Sequence, residues 1–209
     1  MLLRSRISAR NDRCRTLHIG EATATKRLVA VFFISLLNAC STMSVEDFNN
    51  GEPRLLLEDY FEGNTRAWGF FEDRFGNVQR QFVVDIEGTW DGSTLTLDED
   101  FVYQDGETEN RVWKIIKSGE NTYSGSTQQS VGEALGTSSG NAFHWQYDFN
   151  LKVGDSTWKV HFNDWMFLQS DDVLINKATV TRWGIKLGTV FLSFRKLENE
   201  DGLRPPSAT

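Results

Sequence analysis

The chain has very little of the residues that hold small domains together covalently or through metal ions. Its 209 residues include two cysteines, three histidines and three prolines. A disulfide framework needs pairs of cysteines, and structural zinc sites need several Cys or His ligands. Stability therefore has to come from a hydrophobic core. The supply for such a core is ample, because the chain contains seven Trp and fifteen Phe.

The sequence also lacks several short motifs that mark common active sites. It contains no P-loop, no Rossmann glycine pattern and no Cys-x-x-Cys pair. Each of these motifs positions a specific catalytic or phosphate-binding group, so their absence removes the usual grounds for proposing an enzyme. We therefore predict that the protein is not an enzyme and needs no cofactor.

The most apolar segment of the chain is too short to cross a membrane as a helix. It covers residues 28–37, which are ten residues without a charge. A membrane-spanning helix needs about twenty such residues, whereas the apolar region of a secretory signal peptide needs roughly 7–15. Lys26 and Arg27 precede the segment, and the sequence Leu-Asn-Ala-Cys that ends at Cys40 resembles a bacterial lipobox. The pattern predicts a lipoprotein signal peptide over residues 1–39.

The resemblance to a lipobox implies cleavage before Cys40 and attachment of a diacylglycerol to its thiol. Two or three acyl chains anchor a protein stably to a membrane, whereas one does so only marginally. In the sorting rule of such lipoproteins, a Ser after the cysteine, here Ser41, allows export to the outer membrane, and an Asp retains the protein in the inner membrane. We expect a lipid-anchored protein on the periplasmic face of the outer membrane. We also hypothesise that residues 1–25 precede the true start codon; a long basic segment is the alternative.

Charge limits the partners of the mature chain. The predicted signal peptide holds seven of the 22 Lys and Arg residues and two of the 29 Asp and Glu residues, which leaves a net charge of −12 on the remainder. Such a surface repels nucleic acid and anionic head groups. Cys14 would be lost with the signal peptide and Cys40 would be lipidated, so the mature chain has no intrachain disulfide.

From about Trp68 onward, extended segments of about ten residues alternate with turn signals. Asp-Gly favours the positive φ of type I′ hairpin turns, and Gly-Asn and Gly-Asp suit type II′ turns. Counting the segments between turns predicts about nine strands and no long amphipathic helix. The turn signals are at positions 76–77, 91–92, 105–106, 119–121, 140–141, 154–155, 170–172 and 184.

Alternation along the segments supports the strands. From Phe143 to Leu151 every odd position is apolar or aromatic and every even position is polar, which is the period of a strand with one buried face. His144 and His161 fall on the polar side, where solvated histidines are far commoner than metal ligands, so no metal site is predicted.

A meander of sequential hairpins must close or fold over to remove its exposed edges. We therefore predict an all-β fold, an antiparallel up-and-down meander that closes into a lipocalin-like barrel after the N-terminal signal segment; a two-sheet sandwich is the main rival. The predicted division is a signal peptide at 1–39, a lipidated tether at 40–54, the barrel at 55–197 and a disordered tail at 198–209.

Several segments of the chain resemble a known family. They are FEGNTRAWGFFEDRFGNVQRQF, DIEGTWDGSTLTLDEDFVYQDGE, GNAFHWQY and NDWMFLQSDDVLINKATV, together with the lipobox. They are similar to an uncharacterised lipoprotein family of Gram-negative bacteria, described as a domain of unknown function. The resemblance covers about residues 44–197 and implies no activity. Gly88-Thr89-Trp90 is also similar to the Gly-x-Trp of lipocalins, although it follows the second predicted strand instead of lying on the first.

Polar residues on otherwise apolar strand faces are the candidate ligand-binding residues. Asp164 is in register with Phe162 and Met166, and Asn176 with Leu174 and its apolar neighbours. A hairpin centred on 154–155 places Trp145 opposite Asp164, and one centred between 170 and 171 places Asp164 opposite Asn176 or Lys177. These residues would then form a row across three strands. The full set of candidates is Trp145, Asp164, Asn176, Arg80 and Glu99.

A buried carboxylate is costly unless it is paired or hydrogen-bonded, so the row requires an explanation. It could be a polar patch that orients the head group of an apolar ligand. The favoured alternative is an internal network that joins Asp164 to Asn176, the Trp145 indole N–H and Arg80, or a register error that leaves Asp164 in solvent. Satisfied internal groups are the rule in protein cores.

Three hypotheses about function follow. The first is a membrane-anchored module that binds a small hydrophobic or lipid-like molecule inside the barrel. The second is a filled barrel that binds an envelope protein through solvent-facing aromatics such as Trp165 and Phe167. The third is an enzyme that uses Asp164 or Glu99 as a general base, which nothing else in the sequence supports. An internal cavity that is open at one end and contacts Trp145 and Asp164 would favour the first.

Overall fold

The computed structural model describes residues 43–197. The predicted signal peptide, the lipidation of Cys40 and the tail at 198–209 lie outside the described residues. No helix within 43–197 is long and apolar enough to cross a membrane.

Ten antiparallel strands form one closed barrel, in which each strand pairs with its neighbours in the chain and β10 pairs with β1. The all-β meander and its closure are therefore confirmed, with ten strands in place of about nine. The strands are β1 (Gly63–Asp73), β2 (Val78–Trp90), β3 (Thr94–Tyr103), β4 (Thr108–Lys117), β5 (Thr122–Ser126), β6 (Ser130–Ser139), β7 (Ala142–Val153), β8 (Ser156–Leu168), β9 (Val173–Arg182) and β10 (Ile185–Lys196).

The additional strand comes from a turn at residues 127–129, which divides the segment between positions 122 and 139 into β5 and β6. The turn sequence Thr-Gln-Gln contains no Gly, Pro, Asn or Asp, so it carries no turn signal. The even number has a topological consequence. Successive strands of a meander alternate in direction, so nine strands would close through a parallel pair, whereas ten close through the observed antiparallel pairing.

One end of the barrel is closed by the segment that precedes β1. Its short helix α1 (Leu57–Phe61) and Leu55 belong to the main hydrophobic core. The buried carboxylate of Glu58 accepts hydrogen bonds from the Lys117 ammonium and, at 2.8 Å, from the Tyr123 hydroxyl. These bonds hold α1 across the end, since they satisfy a charge that would be costly to bury alone.

Gly88 on β2 permits this close approach. A Cβ atom at position 88 would lie 1.7 Å from the carbonyl oxygen of Phe61, a distance that no side chain can accommodate. The Gly-x-Trp triplet therefore has a local explanation in this fold, because its glycine leaves room for the end of α1.

A second short element packs on the outside of the barrel. The 3-10 helix Val45–Phe48 belongs to the stretch predicted as a tether. The Phe48 ring lies 6.0 Å from that of Trp165 and 5.2 Å from that of Phe167, and Trp165 also stacks on His144 at 4.2 Å. Trp165 is only 9% exposed. The expectation that Trp165 faces solvent is therefore wrong, because a segment more than a hundred residues earlier covers it. Phe167, on the same outer face, is half-buried by the same segment.

Candidate functional site

The barrel encloses a cavity of about 470 Å³. Leu57 and Phe61 of the plugged end form its floor, and its other end reaches the exposed residues Gln79 and Lys152 near the opposite hairpins. The volume falls in the usual range of small-molecule sites. The interior is thus neither solid nor sealed, and the cavity contacts Trp145 and Asp164, which favours a ligand-binding barrel over a filled one.

All five sequence-predicted candidates line this cavity, namely Arg80, Glu99, Trp145, Asp164 and Asn176. Small residues make room for the aromatic ring among them: a Cβ atom at Gly136 would lie 2.3 Å from Cε3 of Trp145. The inward face of each strand therefore places these side chains as the period-two pattern predicts.

The predicted strand register of the row Trp145, Asp164 and Asn176 is correct between β7 and β8 and wrong between β8 and β9. Trp145 lies opposite Asp164, as predicted. Asp164 lies opposite Ala178 instead of Asn176 or Lys177, and Asn176 lies opposite Met166. The reason is the 3-10 turn Ser170–Asp172. It has three residues, so the hairpin is centred on Asp171 and not between positions 170 and 171, and the partners of β8 move along β9 accordingly.

Asp164 has only part of its hydrogen-bonding capacity met. It is 6% exposed, and its Oδ2 accepts a bond of 3.3 Å from the Tyr147 hydroxyl. Its Oδ1 is buried and has no partner. Burial raises the pKa of Asp164 to about 7, against the opposing effect of the Tyr147 bond. The carboxyl therefore changes protonation near neutral pH.

The predicted internal network does not form. Asn176 Nδ2 donates to the carbonyl of Trp165 at 3.3 Å. Arg80 lies near the open end, where its guanidinium bonds to Asp105 and Glu107. Neither donor contacts Asp164, and the low exposure of Asp164 also rules out the alternative that it faces solvent.

Glu99 lies directly opposite Arg111 on the β3–β4 pair. Burial raises the pKa of Glu99 to about 7, and the attraction of Arg111 opposes this shift. Arg111 is itself engaged elsewhere, since its Nη2 donates to Glu109 Oε1 at 2.8 Å and its guanidinium lies over the rings of Phe101 and Phe149. No hydrogen bond from residues 43–197 reaches the Glu99 carboxyl, so Glu99 adds a second acceptor that faces the cavity.

Sequence reasoning missed four members of this polar cluster, which are Tyr103, Glu109, Arg111 and Tyr147. Tyr103 donates to Glu109 Oε2 at 2.9 Å, and Tyr147 donates to Asp164. A signal existed for two of them, because Glu109 and Arg111 lie on the same every-second-residue face of β4 as the buried Trp113 and Ile115. Continuing that alternation backward along β4 would have placed both inside.

The histidines lie outside the cavity. His144 is half-buried under Trp165, and Nδ1 of the exposed His161 lies 2.9 Å from Asp148. Within the described part of the chain, no group of three or more His, Cys, Asp or Glu side chains could hold a metal ion.

The fold and the site define a closed, antiparallel β-barrel with an internal cavity lined mainly by aliphatic and aromatic side chains. The chain belongs to the family described as Protein of unknown function (DUF3833), whose model matches residues 34–196. The predicted membership of a family of unknown function is thereby confirmed. No curated protein matches the chain.

The barrel also occurs in a solved structure. The S-type phycobiliprotein lyase CPES from Guillardia theta matches with a TM-score of 0.51 and 12% sequence identity, over 75% of this chain and 94% of that chain. At this identity the likeness shows a shared fold alone.

Proposed function

We propose that the protein is a binding module that holds one small, predominantly hydrophobic molecule inside its barrel. The observation that carries the proposal is the cavity, which is roomy, open at one end and lined mainly by apolar and aromatic side chains, with a few polar groups that converge on its middle. That combination is typical of small-molecule sites, in which apolar area supplies affinity and a few polar atoms set orientation.

We further propose that the protein is a lipoprotein anchored through Cys40 to the periplasmic face of the outer membrane. The lipobox-like sequence before Cys40 supports this location. Cys40→Ser is expected to move the protein from the membrane to the soluble fraction, because two or more acyl chains are needed for a stable anchor.

Binding is favoured over catalysis. Glu99 and Asp164 have the near-neutral pKa values that suit a general base, and a lyase shares the fold. However, the residues that line the cavity include no Ser, Thr, Cys or His. The common nucleophiles and the commonest proton-transfer group are therefore missing from the site.

The proposal is tested on the chain that begins at Ser41, which contains the whole barrel and its plug. Native mass spectrometry is expected to show a bound hydrophobic molecule at one copy per chain, and N-phenyl-1-naphthylamine is expected to fluoresce on binding. Ala178→Phe should abolish both signals, since Ala178 lines the cavity opposite Asp164.

The matched control is Thr179→Phe, which adds the same ring to the outer side of the same strand. Circular dichroism confirms that both variants fold. The proposal is wrong if the unsubstituted protein carries no adduct and does not enhance the probe, or if the two variants bind the probe equally.

A further inference from the structure

The polar cluster inside the barrel contains more acid than base. Glu99 and Asp164 contribute two carboxyls to the cavity lining, and the nearby cation Arg111 is already in an ion pair with Glu109, which lies beside the cavity. Arg80 and Lys152 line the cavity nearer its mouth. The guanidinium of Arg111 already bonds to Glu109 and lies between two aromatic rings. The cluster is therefore short of positive charge at the place where a ligand would lie.

The cavity-lining side chains hold three buried polar atoms without a hydrogen-bond partner, which are the donors Arg80 Nε and Arg111 Nε and the acceptor Asp164 Oδ1. Both guanidiniums are already paired with carboxylates, whereas Asp164 has no cationic partner among residues 43–197. Asp164 Oδ1 is buried without a donor, and it belongs to a side chain that lines the cavity. Glu99 receives no hydrogen bond from residues 43–197 and repels Asp164 electrostatically. Each carboxylate oxygen can only accept hydrogen bonds when ionised. Both groups therefore require a donor from outside the protein, and a cationic donor would also relieve their repulsion.

Resting on the binding function proposed above, we propose that the ligand is a cationic amphiphile, whose ammonium or similar N–H-bearing head lies between Glu99 and Asp164 and whose apolar tail fills the aromatic cavity. The competing arrangement is an anionic head paired with Arg111. It is disfavoured because such a head would lie beside Glu99 and Asp164 in the cavity, and Arg111 is already paired with Glu109. Like charges in a low-dielectric interior repel strongly.

The test compares three amphiphiles with the same twelve-carbon tail. Dodecylamine, dodecanol and dodecanoate compete for N-phenyl-1-naphthylamine bound to the chain from Ser41, at pH 7.5 and below their critical micelle concentrations. Dodecylamine is expected to displace the probe at an at least tenfold lower concentration than either of the others. Equal potency of dodecanol and dodecylamine, or tighter binding of dodecanoate, would overturn the assignment of a cationic head.

Two double variants separate a site effect from a general charge effect. Glu99→Gln with Asp164→Asn should remove the preference for the amine, by about tenfold, while the probe still binds. Glu87→Gln with Asp98→Asn removes two carboxylates that face each other on the outer surface of β2 and β3 and should leave the preference unchanged. Retention of the preference in the inner variant, or its loss in the outer one, contradicts the proposal.

Failure of the head-group assignment differs from failure of the binding function itself. If the probe binds and dodecanoate displaces it best, the barrel is a binding module with another ligand class. If neither the probe nor any of the three amphiphiles binds, the binding function is wrong and the head-group assignment falls with it.

Discussion

The carboxyl of Asp164 shows how a single buried group couples the barrel interior to pH. It is packed between β7 and β9 with one donor, Tyr147, and one oxygen without a partner. Removing a carboxylate from water without full hydrogen bonding disfavours the charged form. The folded state therefore binds a proton that the unfolded chain releases at a lower pH.

The sign of the resulting pH dependence follows from linkage. Burial raises the pKa of Asp164 from 3.8 to about 7, so the folded state binds more protons than the unfolded state between these values. The stabilising contribution of protonation is complete below pH 4 and is lost as pH rises toward 7. The slope for one such group is at most about 1.4 kcal/mol per pH unit.

Asp164→Asn is expected to remove this contribution to the pH dependence. The free energy of unfolding of the variant, relative to the unsubstituted protein, should be higher at pH 8 than at pH 5, because the amide carries no charge to bury. Urea unfolding at the two pH values measures the difference. Asp155→Asn, in the exposed turn after β7, is the control and should show no such change. An equal effect of Asp164→Asn at both pH values would mean that Asp164 is not buried as a carboxyl.

At the scale of elements, the 3-10 helix Val45–Phe48 explains the aromatic face of β8. Trp165 and Phe167 point outward, yet Phe48 and Val45 cover them and form a small apolar cluster outside the barrel. This surface is therefore part of the folded domain, and it does not offer the aromatic patch on which a binding site for an envelope protein was predicted.

Phe48→Ala should expose this cluster. We expect a loss of about 1–3 kcal/mol in the free energy of unfolding, less than the 3–5 kcal/mol of a fully buried Phe because Phe48 is half-buried. The Trp165 fluorescence should shift to the red as the indole becomes hydrated. Phe75→Ala removes a ring that is 75% exposed in a turn and should change stability by no more than about 0.5 kcal/mol. Equal losses in the two variants would contradict the packing of Phe48 on β8.

At the scale of the whole molecule, the pairing of β1 with β10 converts a meander into a barrel. It joins residues near both ends of the described chain, and it removes the two edges that an open sheet would expose. The closed wall is also what encloses the cavity, since Phe71 on β1 and Phe194 on β10 both line it.

A disulfide across this closure tests it directly. Trp68 and Ser193 are paired opposite each other on β1 and β10, and residues 43–197 contain no cysteine. Trp68→Cys with Ser193→Cys is expected to oxidise readily, which mass spectrometry detects as a loss of two hydrogens. Trp68→Cys with Ile175→Cys is the control, because β9 is two strand spacings from β1, about 10 Å, which is beyond disulfide reach. Oxidation of the control alone would rule out the closed order of strands.

Much of the fold and part of the site could be predicted from local pattern. Alternation of apolar and polar residues assigns an inward face to each strand. The two-residue turn at 154–155 fixes the pairing of Trp145 with Asp164, because a loop this short permits a single register of the two strands. The turn at 127–129 could not be predicted, since its sequence contains none of the residues that favour turns. The length of the turn after β8 could not be predicted either, because the same Ser-Asp-Asp sequence suits a turn of two or of three residues, and that one residue sets the pairing of β8 with β9.

The sequence by itself determined the strands, their inward residues and the presence of polar groups on apolar faces, because these depend on neighbours within a few positions along the chain. Only the tertiary structure decided what those polar groups contact, that the interior stays partly empty, and that residues 45–48 cover Trp165. These features depend on how far opposite walls of a ten-stranded barrel stand apart and on contacts between segments about a hundred residues apart, which local periodicity does not encode.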